Sequence, residues 1–147
     1  MKIAVVSGGF DPIHSGHIDY LSEAKENADY LIVALNSDHW LSKKKGKPFM
    51  KFSERKQILE SIKYIDEVID FDDTDGSCIN ALEKIKATYL DSSIFFCNGG
   101  DRSEENIPEK NVEGIKFIFG VGGTNKKNSS SWILKNWQYD FKGDKNE

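Results

Sequence analysis

The sequence predicts a single doubly wound α/β domain, with a five-stranded parallel sheet in the order 3-2-1-4-5 and helices on both faces. Three observations predict it. Short apolar runs typical of buried parallel strands alternate with segments of helical periodicity. The chain of 147 residues has the size of one domain. Loops rich in glycine, serine or lysine follow the predicted strands, at the sheet edge where such folds bind ligands.

The predicted strands are apolar runs bounded by polar residues or glycine, at residues 3–6, 30–35, 67–70, 94–97 and 115–119. The predicted helices carry apolar residues three and four apart, and Ser15 and Ser53 are expected to cap two of them. A short helix is predicted at residues 39–41 and a last one at 132–137. We therefore expect one domain over residues 1–137 and a loosely ordered polar tail over 138–147.

Composition narrows the class of protein. A formal net charge of −4 argues against a general nucleic-acid binder, which normally carries a basic face. The sequence contains no apolar stretch long enough to span a membrane, and it enters a strand at once without a signal peptide. Cys78 and Cys97 lack the spacing of a zinc site and are expected in the core. We expect a soluble, cytoplasmic protein.

The loop after the first strand has the composition of a phosphate site. Its paired glycines permit close backbone approach to a ligand, and the N-terminus of the following helix attracts anions. Two histidines three residues apart are expected to face the same pocket, with a glycine between them that leaves room for a bound group. The residues assigned to nucleotide binding or catalysis here are Gly8, Gly9, Phe10, His14, Gly16 and His17.

The segment His14-Ser15-Gly16-His17, after Gly-Gly-Phe-Asp-Pro, resembles the HxGH signature of the cytidylyltransferase-like nucleotidyltransferases. The resemblance implies a Rossmann-like fold and transfer of a nucleoside monophosphate from an NTP to a phosphorylated acceptor. It also implies Mg²⁺ held mainly by the NTP phosphates, with Asp11 a candidate to order the metal or the acceptor. The alternative is a glycine-rich turn with two incidental surface histidines.

Polar residues also follow the second strand. Asn36 and Asp38 lie where an acceptor could bind, although they could instead cap the next helix. A basic loop at residues 42–48 follows, which is either a solvated face or a segment that closes over phosphates. Relatives carry a catalytic lysine in this loop; Lys44 is the first candidate, with Lys43 and Lys45 left open.

Residues 54–68 are similar to a stretch of glycerol-3-phosphate cytidylyltransferases. In that family the arginine matching Arg55 helps to bind the acceptor phosphate; otherwise Arg55 would be a surface arginine paired with Glu54 or Glu60. Residues 72–77 are faintly similar to a calcium-binding loop but lack its later glutamate. We interpret them as a loop and helix cap.

A second glycine pair follows the fourth strand. The segment Gly99-Gly100-Asp101 resembles the GGD segment of heptose-phosphate adenylyltransferases, which lies beside the nucleotide. Gly100 and Asp101 are therefore assigned to nucleotide binding, with Asp101 on a ribose hydroxyl or orienting a basic group. Arg102 could clamp the acceptor phosphate in a bidentate manner. The alternative is a plain turn.

Serines before the last helix resemble a second signature of the family, the ISTTKI-type motif that holds the β- and γ-phosphates. Ser129 and Ser130 provide the hydroxyls, at a helix N-terminus that favours anions. The match is partial, since Asn128 replaces the isoleucine, Trp132 the lysine, and Thr124 the arginine of the cytidylyltransferase RTEG element. A serine-rich helix cap is the alternative.

These resemblances imply transfer from an NTP, with ATP favoured slightly, to a phosphorylated sugar or polyol. The alternatives are a CTP-dependent enzyme acting on glycerol 3-phosphate or another alcohol phosphate, and a non-catalytic nucleotide-binding regulator. A flavodoxin-like or dinucleotide-binding module is disfavoured because the GxGxxG fingerprint is missing. Relatives are commonly dimers, which makes a homodimer the expected assembly by analogy.

Overall fold

The computed structural model describes residues 1–99, 107–122 and 129–146, with side chains described as far as residue 138. Five parallel strands form one sheet in the predicted order β3-β2-β1-β4-β5. The strands are β1 (Lys2–Gly8), β2 (Tyr30–Leu35), β3 (Glu67–Ile69), β4 (Ser93–Gly99) and β5 (Ile115–Val121). The fold class predicted from the alternation of strands and helices is confirmed.

Helices cover both faces of the sheet because each central strand is apolar on both sides. In β1, Ile3 and Val5 pack into one core cluster while Ala4 and Val6 pack into the other. The helices are α1 (Ser15–Glu26), α2 (Asp38–Lys45), α3 (Phe52–Glu60), α4 (Ile79–Thr88) and α5 (Ser130–Asn146), with a 3₁₀ turn at Pro108–Asn111. Helix α4 belongs to the first cluster, and α1 and α3 belong to the second.

Both cysteines are buried, as predicted, and neither is in a disulfide. Cys78 packs in the cluster with α4, and Cys97 packs in the opposite cluster with α1. Burial raises the pKa of the Cys97 thiol to about 11, with the charge of Glu23 adding to the shift. The thiol therefore stays protonated, as suits a core residue.

Helix boundaries differ from the prediction at the caps. Helix α1 is capped by the His14 side chain and not by Ser15, and α3 begins after Lys51 without any side-chain cap from Ser53. Helix α2 is longer than predicted, so residues 42–45 of the predicted basic loop are helical, while residues 46–48 lie outside the helix. Ser37 caps its start through the Trp40 N–H, and Gly46 ends it at a φ of +94°. Lysines at its C-terminus complement the helix dipole.

Helix α5 also extends past its predicted end. It begins at Ser130 and runs to Asn146, through the segment 138–146 that we expected to be loosely ordered. That segment has no proline and a single glycine, Gly143, so nothing in its sequence stops the helix. The division into a domain and a tail stays a prediction. Among the described helices, none is long and apolar enough to cross a membrane.

Candidate nucleotide-binding site

A cavity of about 820 Å³ lies at the carboxyl edge of the sheet. The loops after β1 and β2 form its base, and the first turn of α5 lines one wall. The parallel register of β1 and β2, which pairs Gly8 with Leu35, brings these two loops together. Of the predicted site residues, the cavity is lined by Gly8, Gly9, Phe10, Asp11, His17, Asn36, Lys44 and Ser130.

The two signature histidines form the cap of helix α1. His14 Nδ1 accepts a hydrogen bond from the Gly16 N–H at 3.1 Å, and His17 Nδ1 accepts one from the His14 N–H at 3.2 Å. The rings stack with their centroids 3.8 Å apart and an interplanar angle of 23°. Because each Nδ1 is an acceptor, the N–H of each ring is on Nε2. The three-residue spacing thus fixes two parallel donors at a helix N-terminus.

His17 stays neutral over the physiological pH range. Burial, together with the nearby charges of His14 and Lys44, lowers the pKa of His17 from 6.5 to about 3. A neutral imidazole with its proton on Nε2 donates a hydrogen bond from that atom and keeps the proton near neutral pH. His17 is thus suited to hold phosphate oxygens as a fixed dipole.

A pH titration checks this protonation state. We expect the ring signals of His17 in an NMR spectrum to stay constant from pH 8 to about pH 5, assigned by their loss in His17→Asn. Below about pH 6.5 the unfolded chain protonates this residue and the folded chain does not. The free energy of unfolding therefore decreases as pH falls from 6.5 towards 3. A ring that titrates near pH 6.5 would contradict the burial argument.

Packing within the protein gives a second reason, besides close approach of a ligand, for the residue types at Gly8, Gly9 and Phe10. Phe10 is buried, adopts a φ of +50° and packs against the His17 ring with centroids 4.8 Å apart. A Cβ on Gly8 would lie 3.1 Å from the Phe10 ring, and one on Gly9 would lie 2.8 Å from Leu41. Phe10 thus packs against His17, and Gly8 and Gly9 leave room for Phe10 and Leu41. Contact of these residues with a nucleotide stays a prediction.

The three consecutive lysines point to different places. Lys44 lines the cavity, with its Nζ 4.9 Å from the Trp40 ring centroid. Lys45 lines the cavity too, but its Nζ is 3.2 Å from Asp11 Oδ2 and donates to the Asp11 carbonyl. Lys43 lines a smaller cavity of about 360 Å³ beside His39, which Lys44 lines as well, but Lys43 does not line the main one. Lys44 is therefore the lysine best placed to approach a phosphate in the cleft.

Asp11 is tied to the protein by both carboxylate oxygens. Oδ2 accepts from the Phe49 N–H at 2.6 Å and Oδ1 accepts from the Met50 N–H at 2.7 Å, and Lys45 completes its surroundings. The side chain is buried. These contacts fasten residues 49–50 to the first loop, and the predicted role of Asp11 in ordering a metal or an acceptor stays a prediction.

Asn36 is oriented by an aspartate that the sequence prediction did not select. Buried Asp73 accepts hydrogen bonds from Asn36 Nδ2 at 3.1 Å, Ser37 N at 2.8 Å and Ser37 Oγ at 2.7 Å. Burial raises the pKa of Asp73, but these hydrogen bonds outweigh it and hold the pKa below its usual value. Residues 72–77 form a loop, as predicted. The sequence signal that could have identified Asp73 as the partner of Asn36 is the pair of adjacent aspartates shortly after β3, Asp72 and Asp73.

Arg55 is a buried crosslink, and the alternative of a surface arginine is wrong. Its side chain is fully buried, with Nη2 2.7 Å from Asp38 Oδ1. Its Nε donates to the Met50 carbonyl at 3.0 Å. Its Nη1 donates to the carbonyls of Gly9 and Asn36, at 3.0 and 2.8 Å. The guanidinium therefore joins α3 to both loops of the site, and Asp38 is held at the site by this pair.

The first turn of α5 is joined to the signature loop. Ser129 Oγ accepts from the Trp132 N–H at 3.0 Å and so caps the helix, while Ser130 Oγ donates to the Pro12 carbonyl at 2.7 Å. Both hydroxyls are thus engaged, and the group that this turn offers an anion is its backbone. Lys135, one turn further along, lines the cavity too and was not predicted.

Several predicted positions fall outside the described residues. Gly100, Asp101 and Arg102, assigned to the nucleotide and the acceptor phosphate, lie there. So do Thr124 and Asn128, the departures from the second signature. Their roles stay predictions.

The described cleft is built for a polyanion. Lys44 and Lys135 line it, together with His17 at the N-terminus of α1 and the first turn of α5. Fold and cleft together define a Rossmann-like α/β protein whose cleft has donors and positive charges suited to phosphate. A family model described as cytidylyltransferase-like matches residues 5–134, and the chain belongs to this family.

Similar proteins fall into two groups by name. The chain is 45% identical over 69 residues to glycerol-3-phosphate cytidylyltransferase of Bacillus subtilis, covering 47% of this chain and 54% of the relative. It is 33% identical over 134 residues to the bifunctional protein HldE of Geobacter metallireducens, covering 84% of this chain and 26% of the relative. The chain thus spans about half of one relative's length and about a quarter of the other's.

Among solved structures, a lipopolysaccharide core biosynthesis protein from Thermoplasma volcanium superposes with a TM-score of 0.62 at 21% identity. The match covers 81% of this chain and 95% of that one. At this identity the likeness supports the fold.

Proposed function

We propose that this protein transfers a nucleoside monophosphate from an NTP to a phosphorylated sugar or polyol and releases pyrophosphate. The observation that carries the proposal is the convergence of His17, Lys44 and the first turn of α5 on one cavity of about 820 Å³. Such a set of donors and charges can hold a triphosphate along its length. Family membership supports the same class of reaction.

The reaction is an in-line displacement. An oxygen of the acceptor phosphate forms a bond to the α-phosphorus of the NTP, the bond from that phosphorus to the bridging oxygen breaks, and pyrophosphate leaves with the electron pair. The attacking oxygen is already anionic at neutral pH, so no general base is required. Catalysis then rests on positioning and on stabilisation of charge in the transition state.

The proposed roles of the site residues follow from their positions. His14 and His17 donate from Nε2 to the α- and β-phosphate oxygens, and Lys44 adds positive charge near the α-phosphate. The backbone at Ser129 and Ser130 holds the leaving pyrophosphate. Arg55 and Asp11 act indirectly, since their contacts hold the two loops in place.

Mg²⁺ is expected to enter as part of the nucleotide substrate. No cluster of three or more His, Cys, Asp or Glu side chains that could hold a metal occurs in the described part of the chain. The carboxylate of Asp11 is already hydrogen-bonded to two backbone amides. The described side chains are therefore suited to a metal that is held by the triphosphate oxygens. Such a metal would help to neutralise the charge of the triphosphate.

A second candidate is CTP-dependent transfer to glycerol 3-phosphate. It is favoured by the 45% identity over 69 residues to a protein of that name, whereas the longer match to HldE supports the sugar-phosphate alternative. ATP is slightly favoured because the RTEG arginine is replaced by Thr124.

Pyrophosphate release tests the proposal. The purified protein is mixed with Mg²⁺ and either ATP or CTP, across a panel of sugar, polyol and amino-alcohol phosphates. Release that requires one NTP and one acceptor supports the proposal and identifies both. Nucleotide binding without release for any acceptor would favour the regulator instead. The homodimer, the cytoplasmic location and the absence of nucleic-acid binding stay predictions.

Alanine at each of the three lysines separates their roles. We expect Lys44→Ala to lower kcat about ten- to hundredfold, because it removes a charge beside the reacting phosphate. Lys43→Ala, which faces the smaller cavity, serves as the control with near-normal turnover. Lys45→Ala should mainly lower thermal stability through loss of its contacts with Asp11. Equal losses of kcat for Lys43→Ala and Lys44→Ala would contradict this assignment.

A further inference from the structure

Glu109 is a buried carboxyl group on the wall of the cleft that the reaction above does not use. It lies in the 3₁₀ turn Pro108–Asn111 between β4 and β5, is 2% exposed and lines the main cavity. Its Oε2 accepts a hydrogen bond from the Cys78 N–H at 2.7 Å, at the N-terminus of α4. Its Oε1 has no hydrogen-bond partner within the described part of the chain.

An unpartnered oxygen on a buried carboxyl group is unfavourable, because the group has lost water without gaining a donor. Glu109 lines the cavity, which is the space open to a ligand, and because Oε1 itself is buried a donor reaches it once the wall shifts slightly. The α4 N-terminus beside Oε2 stabilises negative charge at this position. A carboxylate in this wall repels phosphate, so this end of the cleft is suited to a different part of a ligand.

The cleft is lined by side chains of both charges. The lysines that line the cavity lie on α2, on α5 and in the segment between α2 and α3, whereas Glu109 is hydrogen-bonded to Cys78 at the start of α4. A ligand that carries both a phosphate and a hydrogen-bond donor matches this lining. A phosphorylated sugar or polyol has this form.

We propose that Glu109 Oε1 accepts a hydrogen bond from a hydroxyl group of the phosphorylated acceptor, and so selects acceptors that carry a free hydroxyl away from the phosphate. The assignment rests on the proposed nucleotidyl transfer. A hydroxyl fits because one oxygen is available for one donor, while Oε2 stays on Cys78. Glu109 is thus a specificity-determining residue of the acceptor site.

Glu109→Gln tests the assignment without removing the helix cap. The amide oxygen of glutamine can still accept from the Cys78 N–H, and its NH₂ group then replaces an acceptor with a donor. The probes are sn-glycerol 3-phosphate and glucose 1-phosphate, each with its monodeoxy analogues, together with phosphoethanolamine. Pyrophosphate release gives kcat and KM for the acceptor and for the NTP separately.

Because a neutral amide replaces a charged acceptor, we expect kcat/KM for the acceptor that wild type uses to fall about three- to tenfold in Glu109→Gln, mainly through KM, with the NTP KM unchanged within about twofold. One monodeoxy analogue should lower kcat/KM in wild type and should lower it less in the variant. Glu113→Gln, an exposed neighbour, is the control. The melting temperature of Glu109→Gln should stay close to that of wild type.

The possible failures are distinguishable. Pyrophosphate release with an unchanged acceptor KM in a folded Glu109→Gln would overturn the role of Glu109 and leave the proposed function standing. That is the result expected if another part of the chain pairs with Oε1. Preference for phosphoethanolamine would overturn the choice of a hydroxyl. No release from wild type with any acceptor would overturn the proposed function, and this assignment with it.

Discussion

Replacing His17 with asparagine is expected to lower kcat about a hundredfold or more, while the free energy of unfolding changes by about 1 kcal/mol or less. The two nitrogens of the ring explain the separation. Nδ1 accepts from the His14 N–H and so belongs to the helix cap, whereas Nε2 carries the proton that is free to face a phosphate. Asparagine can imitate the first nitrogen but does not reach the position of the second.

Glutamine at the same position gives the matched comparison. Its amide nitrogen reaches the position of Nε2, so His17→Gln should retain more activity than His17→Asn although it supports the cap less well. Steady-state pyrophosphate release and urea unfolding measure the two effects separately. His39→Asn, an exposed histidine on α2, is the control and should behave as wild type. Near-normal turnover of His17→Asn would show that His17 does not take part in the reaction.

The fold could be predicted because its determinants are local. The three central strands each contain a continuous apolar run, and the alternation with helices together with right-handed crossovers restricts the sheet to few orders. The histidine pair could be predicted for the same reason. A spacing of three residues at the start of a helix places His14 and His17 side by side whatever the rest of the chain does.

The basic run was placed wrongly because charge outweighed the capping signals. Ser37 and Gly46 both stand in the sequence as a start and a stop for α2, and they include Lys43 to Lys45 in the helix. Once these residues are helical, successive lysines point in different directions. This is why the structure can distinguish Lys44 from its neighbours and the sequence could not.

The supporting contacts of the site could not be predicted because they join distant segments. Asp11 accepts from Phe49, 38 residues away, and Cys78 donates to Glu109, 31 residues away. Such pairs depend on the path of each loop, which spacing alone does not define. Asp11 lines the cavity, and its hydrogen bonds to residues 49–50 are an additional structural role that the sequence did not indicate.

Arg55→Ala is expected to lower the free energy of unfolding by about 3–5 kcal/mol, the largest stability effect that we predict for a side chain near the site. The guanidinium is fully buried and holds the carbonyls of Gly9, Asn36 and Met50 together with Asp38. Truncation leaves these acceptors without donors. Arg55→Lys should recover part of the loss, since an ammonium cannot reproduce the planar fork that reaches all of them.

Chemical denaturation and kinetics together decide between this structural role and the acceptor-phosphate role implied by the family resemblance. A structural crosslink predicts low stability in Arg55→Lys, with the KM values for NTP and acceptor changing together, because Gly9 and Asn36 both line the cleft. A phosphate ligand predicts near-normal stability and a raised KM for the acceptor alone. Lys56→Ala, one residue further along α3, is the control. Since four of the five guanidinium N–H groups are already donated to protein oxygens, we expect the first result.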